Sequence, residues 1–139
     1  MNEPSDKRNR TLALHDRAIR FSTGVNTSCP QKFSNIPSHR VWDQLVRAAD
    51  STSSNLIEAD DALSDADFLH KVGIALREAK ESKAALIKIR LGHLDHARIV
   101  ADRELESEAS QLAAIFAAII RNMRLRLDEE SRTGRKRKR

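Results

Sequence analysis

Residues 67–89 read DFLHKVGIALREAKESKAALIKI, and this stretch decides the fold. Phe68, Val72, Ala75, Ala79, Ser82, Leu86 and Ile89 follow one another at alternating intervals of four and three. At 3.6 residues per turn that spacing keeps all of them on one helix stripe, and Leu69 and Leu76 widen it. A heptad rhythm of this length predicts helices crossing at about +20°, as in bundles. Ser64, with Asp67 three residues on, resembles a capping box with Asp in place of Glu, and Gly92 is a natural C-terminal stop.

Working outward, the same rhythm recurs three times. Downstream, Leu105, Ala109, Leu112, Phe116, Ile119 and Met123 form the seam of a last helix. It is expected to begin near Asp102, where Glu104, Glu106 and Glu108 suit the positive end of a helix dipole. Ile115 and Ile120 lie beside that seam, an apolar surplus that can serve the core or a subunit interface. Upstream, Val41, Leu45, Ala48, Thr52, Asn55 or Leu56, and Ala59 define a helix over about 39–59 with Ser38 as its expected N-cap. Its small, polar run from Ser51 to Asn55 forms helix poorly in isolation but permits close backbone approach. Leu14, Ala18, Phe21 and Val25 define a first helix over about 9–25. Between these two lie Asn26–Pro30 and Asn35–Ser38, which carry turn chemistry and predict a long connection.

The expected architecture is therefore all-α: an antiparallel up-down four-helix bundle over residues 9–130, a flexible N-terminus over 1–8, and a disordered basic C-terminal tail over 131–139. Composition agrees. Of 139 residues only 4 are Gly and 3 Pro, none is Tyr, and aromatics make up 4%, which argues against sheet. Length fits one domain. The single cysteine, Cys29, forms no internal disulfide, so nothing asks for an oxidising compartment. The first ten residues have no apolar signal core, and the apolar stretch 112–120 is too short to cross a bilayer. A cytoplasmic, non-membrane protein is expected.

The net charge of +5 is unevenly placed. Residues 132–139 (RTGRKRKR) hold six basic residues and no acid, leaving 19 basic against 20 acidic elsewhere. Residues 7–40 hold seven basic residues and one acid, so the remainder of the bundle is acidic. The pI of about 9.8 thus reports two basic segments rather than a uniformly basic surface.

No enzyme motif emerges. A di-metal bundle needs two carboxylate-x-x-His motifs with two further carboxylates; Asp67-x-x-His70 is one, its histidine turned from the seam. His93 and His96 follow Gly92 in a loop, and two ligands do not make a zinc site. Cys29 precedes Pro30 without a group to depress its pKa. There is no Gly-rich phosphate loop. No catalytic residue, cofactor or metal is expected.

The segments Gln44–Ala49, Ser54–Ala59 and Asp67–Glu81 resemble the bacterial four helix bundle protein family. That family includes proteins encoded in intervening sequences of large-subunit rRNA genes. It also includes the accessory variability determinant (Avd) of diversity-generating retroelements. The resemblance spans about residues 10–128 and is most specific over 44–82. It implies an up-down four-helix protomer and a ring-like homopentamer. It further implies an accessory role: binding a reverse transcriptase and nucleic acid to support cDNA synthesis in mutagenic retrohoming. Where many members read Asn-Ile-Ala-Glu-Gly, this chain reads Asn55-Leu56-Ile57-Glu58-Ala59 and lacks the glycine. Asn55, Glu58, Glu78 and Glu81 are the polar residues at motif positions; Asn55, at or beside the seam, is expected to fix helix register.

The basic groups are the functional signal. Arg8, Arg10, Arg17 and Arg20 on the first helix, with Arg132, Arg135, Lys136, Arg137, Lys138 and Arg139 in the tail, are candidate nucleic-acid contacts. They would bind RNA or DNA through phosphate neutralisation without strong sequence preference, and multiplication in an oligomer would add avidity. No aromatics interleave them, so base stacking is not indicated. The competing reading is a stand-alone oligomeric interaction module of the same family, without a polymerase partner.

Overall fold

A computed structural model describes residues 5–96 and 103–137, with side chains through residue 134. The described residues form four helices: α1 (Asp6–Ser28), α2 (Ile36–Asp60), α3 (Asp65–Gly92) and α4 (Glu104–Arg137). Successive helices are antiparallel neighbours. The start of α1 meets the end of α2 through Arg8 and Asp60. The end of α2 meets the start of α3 through Glu58 and Lys71, and the end of α3 meets the start of α4 through Arg90 and Glu106. The α2–α3 seam is the most extensive, followed by α3–α4 and α1–α2, whereas α1 and α4 touch only lightly.

Caps set the boundaries. The Ser5 hydroxyl accepts from the Arg8 amide at 3.1 Å, so α1 begins three residues before the expected start. The Ser64 hydroxyl accepts from the Asp67 amide at 3.0 Å, as the capping pattern required. The cap of α2 is Asn35, not Ser38: the Asn35 side chain accepts from the Ser38 amide at 2.9 Å, and Pro37 occupies the first turn, where its missing N–H costs nothing. With α1 running to Ser28, the connection shortens to residues 29–35. At the end of α3, Gly92 is still helical and His93 takes the left-handed conformation, φ 51°. Helix α4 continues past Asp128 to Arg137, further than the composition suggested. Arg and Lys are good helix formers, and a long helix adds turns at little cost once nucleated. Residues 1–4, and Asp102 as the expected start of α4, lie outside the described residues, as do Lys138 and Arg139.

The core holds Ala18, Phe21 and Val25 of α1, and Leu45, Ala48, Leu56 and Ala59 of α2. From α3 come Val72, Ala75, Ala79, Leu86 and Ile89, and from α4 Ala109, Leu112 and Phe116. Every one lies on an expected seam. Leu14, Val41, Phe68, Leu105, Ile119 and Met123 of those seams are half-buried at the margins. Ile120, read as flanking surplus, is buried in the core. The periodicity did not single out Ala49, Ala85 or Trp42, although all three are buried and Trp42 is the largest fully buried side chain. The polar stretch of α2 is accommodated as its composition allowed. Thr52 donates to the Ala48 carbonyl at 2.8 Å and Ser53 to the Asp50 carbonyl at 3.0 Å. Across the α2–α3 seam, Ser82 of α3 does the same to Glu78 at 2.8 Å. These three hydroxyls are thereby satisfied on their own helices, and among the described residues no buried side-chain N or O lacks a partner. At Gly24 α1 approaches α4 closely: an added Cβ would sit 3.2 Å from Leu105 Cδ2.

Candidate functional site

Three of the four candidate arginines on α1 are already neutralised within the chain. Arg8 donates to both carboxylate oxygens of Asp60, at 2.8 and 2.7 Å. Arg17 donates to Glu108 on α4, and to Gln111 at 3.2 Å. Arg20 donates to Asp16, one turn earlier, at 2.7 Å. Only Arg10, with its neighbour Lys7, is exposed and free of ion pairs among the described residues. Arg132 is exposed on α4. Arg135, Lys136 and Arg137 continue that helix, their side chains outside the described set. Because Arg126 of α4 lies 3.9 Å from Asp65 at the start of α3, α4 leaves the bundle at the end where α1 begins. The unpaired cations of α1 and the basic run therefore share one end of the molecule.

The four family-motif residues separate into three settings. Glu78 and Glu81 of α3 line an open groove of about 780 Å³ against α2, with Arg40, Gln44, Arg47 and Ser51 opposite. Burial, and then the charge and hydrogen bond of Glu81, raise the Glu78 carboxyl above its ordinary pKa. Glu58 bridges α2 to α3 by receiving Lys71 at 2.9 Å. Asn55 does not reach across helices: its amide donates to the Ser51 carbonyl at 2.8 Å and the Ser51 hydroxyl at 3.0 Å, within α2. The expected register role is thereby corrected. The small Ser51 hydroxyl one turn back gives the amide a nearer partner than any other helix does. Ala59, standing where many members have glycine, packs fully inside the core.

At the opposite end is a cluster that sequence reasoning missed. The Asp95 carboxylate accepts from the Ser34 amide at 3.0 Å and from the Ser34 and Ser38 hydroxyls. These bonds, the Ser34 hydroxyl foremost, hold Asp95 below its ordinary carboxylate pKa. Trp42 Nε1 donates to the Leu94 carbonyl at 2.8 Å. Nearby, Arg90 donates to Glu106 at 2.8 and 3.1 Å in a largely buried, bidentate pair. Together these tie the α1–α2 connection, the α3 terminus and the start of α4 into one clamp. A cue existed in the turn residues of both connections, but their pairing is a tertiary fact.

Groups capable of chemistry are dispersed. Burial raises the Cys29 thiol pKa, the wrong direction for a nucleophile. His93 Nδ1 and His96 Nε2 lie 3.2 Å apart, the rings edge to face, and His70 is exposed on α3. Among the described residues no three His, Cys, Asp or Glu side chains converge as a metal site would require. No described helix is long and apolar enough to cross a membrane.

The chain is thus an up-down helical bundle whose conspicuous features are surfaces. The sequence model of the 23S rRNA-intervening sequence protein family matches residues 10–118, and the chain belongs to that family. In three dimensions it is similar to a protein of unknown function from the S23 ribosomal protein family of Bacteroides thetaiotaomicron. The two share 24% identity over 77% of this chain and 97% of the other, with a TM-score of 0.61, a likeness of fold. Among curated proteins, none matches.

Proposed function

We propose that the protein is a non-enzymatic, cytoplasmic, oligomeric scaffold that binds RNA or DNA with little sequence preference. In this reading it serves a reverse transcriptase as an Avd-like accessory protein, supporting cDNA synthesis in mutagenic retrohoming, and assembles as a homopentamer. The carrying observation is the convergence of unpaired Lys7 and Arg10 with exposed Arg132 and the following basic run at one end of the bundle. Cations without internal partners are those free to neutralise phosphates. The acidic remainder of the body offers a complementary face for a basic polymerase.

One observation favours a second reading, a stand-alone interaction module without a polymerase partner. Arg8, Arg17 and Arg20 spend their charge inside the chain, which narrows the phosphate-binding face.

Fluorescence anisotropy with labelled RNA and DNA tests the proposal. The full chain is expected to bind both, with affinity falling steeply as salt rises. Deleting residues 132–139 should lower affinity at least about tenfold and flatten the salt slope by roughly 0.7–0.9 for each phosphate that is no longer neutralised. Lys7→Ala with Arg10→Ala should lower it further, and Arg20→Ala should change little. No binding at low salt overturns the nucleic-acid role. Binding with failure to co-purify with a reverse transcriptase encoded beside it leaves the stand-alone module.

A further inference from the structure

The open groove of about 780 Å³ along the α2–α3 seam carries opposite charge at its two ends. The Glu58–Lys71 pair fixes the antiparallel register of the two helices. Followed away from that pair, the register sets Ser51 close to level with Glu78, Arg47 with Glu81, and Arg40 with Lys88. At a rise of about 1.5 Å per residue, Glu78 and Lys88 stand about 15 Å apart along α3. Arg47 is placed to meet Glu81 across the groove, yet it pairs with Asp43 on its own helix at 3.1 Å. Glu78 and Glu81 are left hydrogen-bonded to each other, with no ion pair to either among the described residues. Arg40 and Lys88 at the other end have none either.

A groove that holds its own opposite charges apart fits a guest that carries both. Two adjacent carboxyls repel once ionised, and a cation between them relieves that repulsion. Arg40 and Lys88 call for a carboxylate, and the wall between the two ends is apolar at Val41 and Ala48. Nucleic acid is a poor match, since its phosphates would meet Glu78 and Glu81. A guest helix of the groove's length, about 10–12 Å across, displaces roughly 1200–1700 Å³ and cannot sink in. An extended chain can. Its side chains at i, i+2 and i+4 face one way, with the outer two about 13 Å apart. Midway along the groove, Gln44 makes no hydrogen bond among the described residues, so its amide is free to donate to and accept from a guest backbone.

We propose that the α2–α3 groove docks an extended segment of a partner protein. That segment carries a lysine or arginine, a small aliphatic residue two positions away, and a carboxylate two positions beyond that. The cation sits between Glu78 and Glu81, the aliphatic side chain on Val41 and Ala48, and the carboxylate between Arg40 and Lys88. Each ion pair in so open a groove is weak, and selectivity comes from matching both charges at one spacing. The site shares no residue with the candidate nucleic-acid contacts and stands without them.

Nuclear magnetic resonance titration of the full, isotope-labelled chain with the capped peptide Arg-Ala-Val-Ala-Glu tests it. Saturable amide shifts are expected along residues 40–51 and 78–88 at millimolar peptide. Glu78→Gln with Glu81→Gln should weaken binding about fivefold. The peptide with alanine for arginine should bind that variant and the wild type equally, which ties the two carboxyls to the guest's cation. Arg40→Ala with Lys88→Ala should weaken binding in the same way, and the peptide with alanine for glutamate should not distinguish that variant from the wild type. Circular dichroism should match the wild type for both, since all four side chains lie at the groove surface. Absent shifts at millimolar peptide, or shifts that survive both double substitutions, overturn the proposal. RNA that displaces the peptide would give the groove to nucleic acid, and a mass that falls as peptide is added would give it to a second copy; either result also overturns it.

Discussion

The two ends of this bundle differ in how completely their polar groups are paired. Where the α1–α2 and α3–α4 connections meet, polar groups are paired inward: Asp95 with Ser34 and Ser38, Trp42 with the Leu94 carbonyl, and Arg90 with Glu106. At the other end Leu63 is bare, Asp61, Lys7 and Arg10 have no ion partners among the described residues, and α4 runs on into basic sequence. Satisfied groups hold a fold together, while unsatisfied charge and exposed leucine have interactions left to give. The proposed nucleic-acid recognition is placed at the second end on this contrast in charge, although Ile36 and Leu91 also stand exposed at the first.

The largest test of that contrast is Trp42→Ala. Emptying a fully buried indole site and orphaning the Leu94 carbonyl should cost about 3–5 kcal/mol of unfolding free energy in urea titrations. Leu63→Ala at the opposite end should stay within about 0.5 kcal/mol when unfolding is followed on dissociated chains. Comparable losses would erase the distinction between the ends.

A smaller effect sharpens the comparison through pH. Asp95 is held below its ordinary pKa by bonds present only in the folded state. Its stabilisation is therefore complete above the unfolded-state value near 3.8 and is lost as pH falls through the lower folded value. Asp95→Asn should lower stability at neutral pH and flatten the acid limb of the stability curve. Glu78, raised by burial and by Glu81, has the opposite sign. Its charge opposes folding above the raised value, and that opposition fades as pH falls toward the unfolded-state 4.5. Glu78→Gln should leave neutral stability unchanged or slightly higher. Urea denaturation between pH 3 and 7 would separate the two, and an Asp95→Asn curve parallel to the wild type would remove Asp95 from the clamp.

Much of the fold was legible because helix periodicity is a local property. Phe68 to Ile89 kept one stripe, and six of its seven positions are buried. Ser64 capped where its spacing to Asp67 said it would. The α2 cap was misassigned because Asn35 and Ser38 are both competent cap residues, and Pro37 decided between them by accepting a first-turn position. Trp42 escaped notice because it lies next to the expected Val41 and its burial depends on the Leu94 carbonyl, 52 residues away.

By itself, then, the sequence determined four amphipathic helices, their order, their seams and the confinement of excess positive charge to two segments. These follow from residue type at fixed spacing, which a helix converts directly into a face. Which charges remain available was decided only by tertiary structure. Arg8 and Arg17 look like Arg10 in the sequence, yet Asp60 and Glu108 reach the first two and no described acid pairs with the third. Likewise Asp95 and Leu63 are a loop acid and a loop leucine until the bundle closes; then the connections bring two serines to one and leave the other in water. Pairing between groups distant in sequence is set by how helices pack, and no local pattern encodes it.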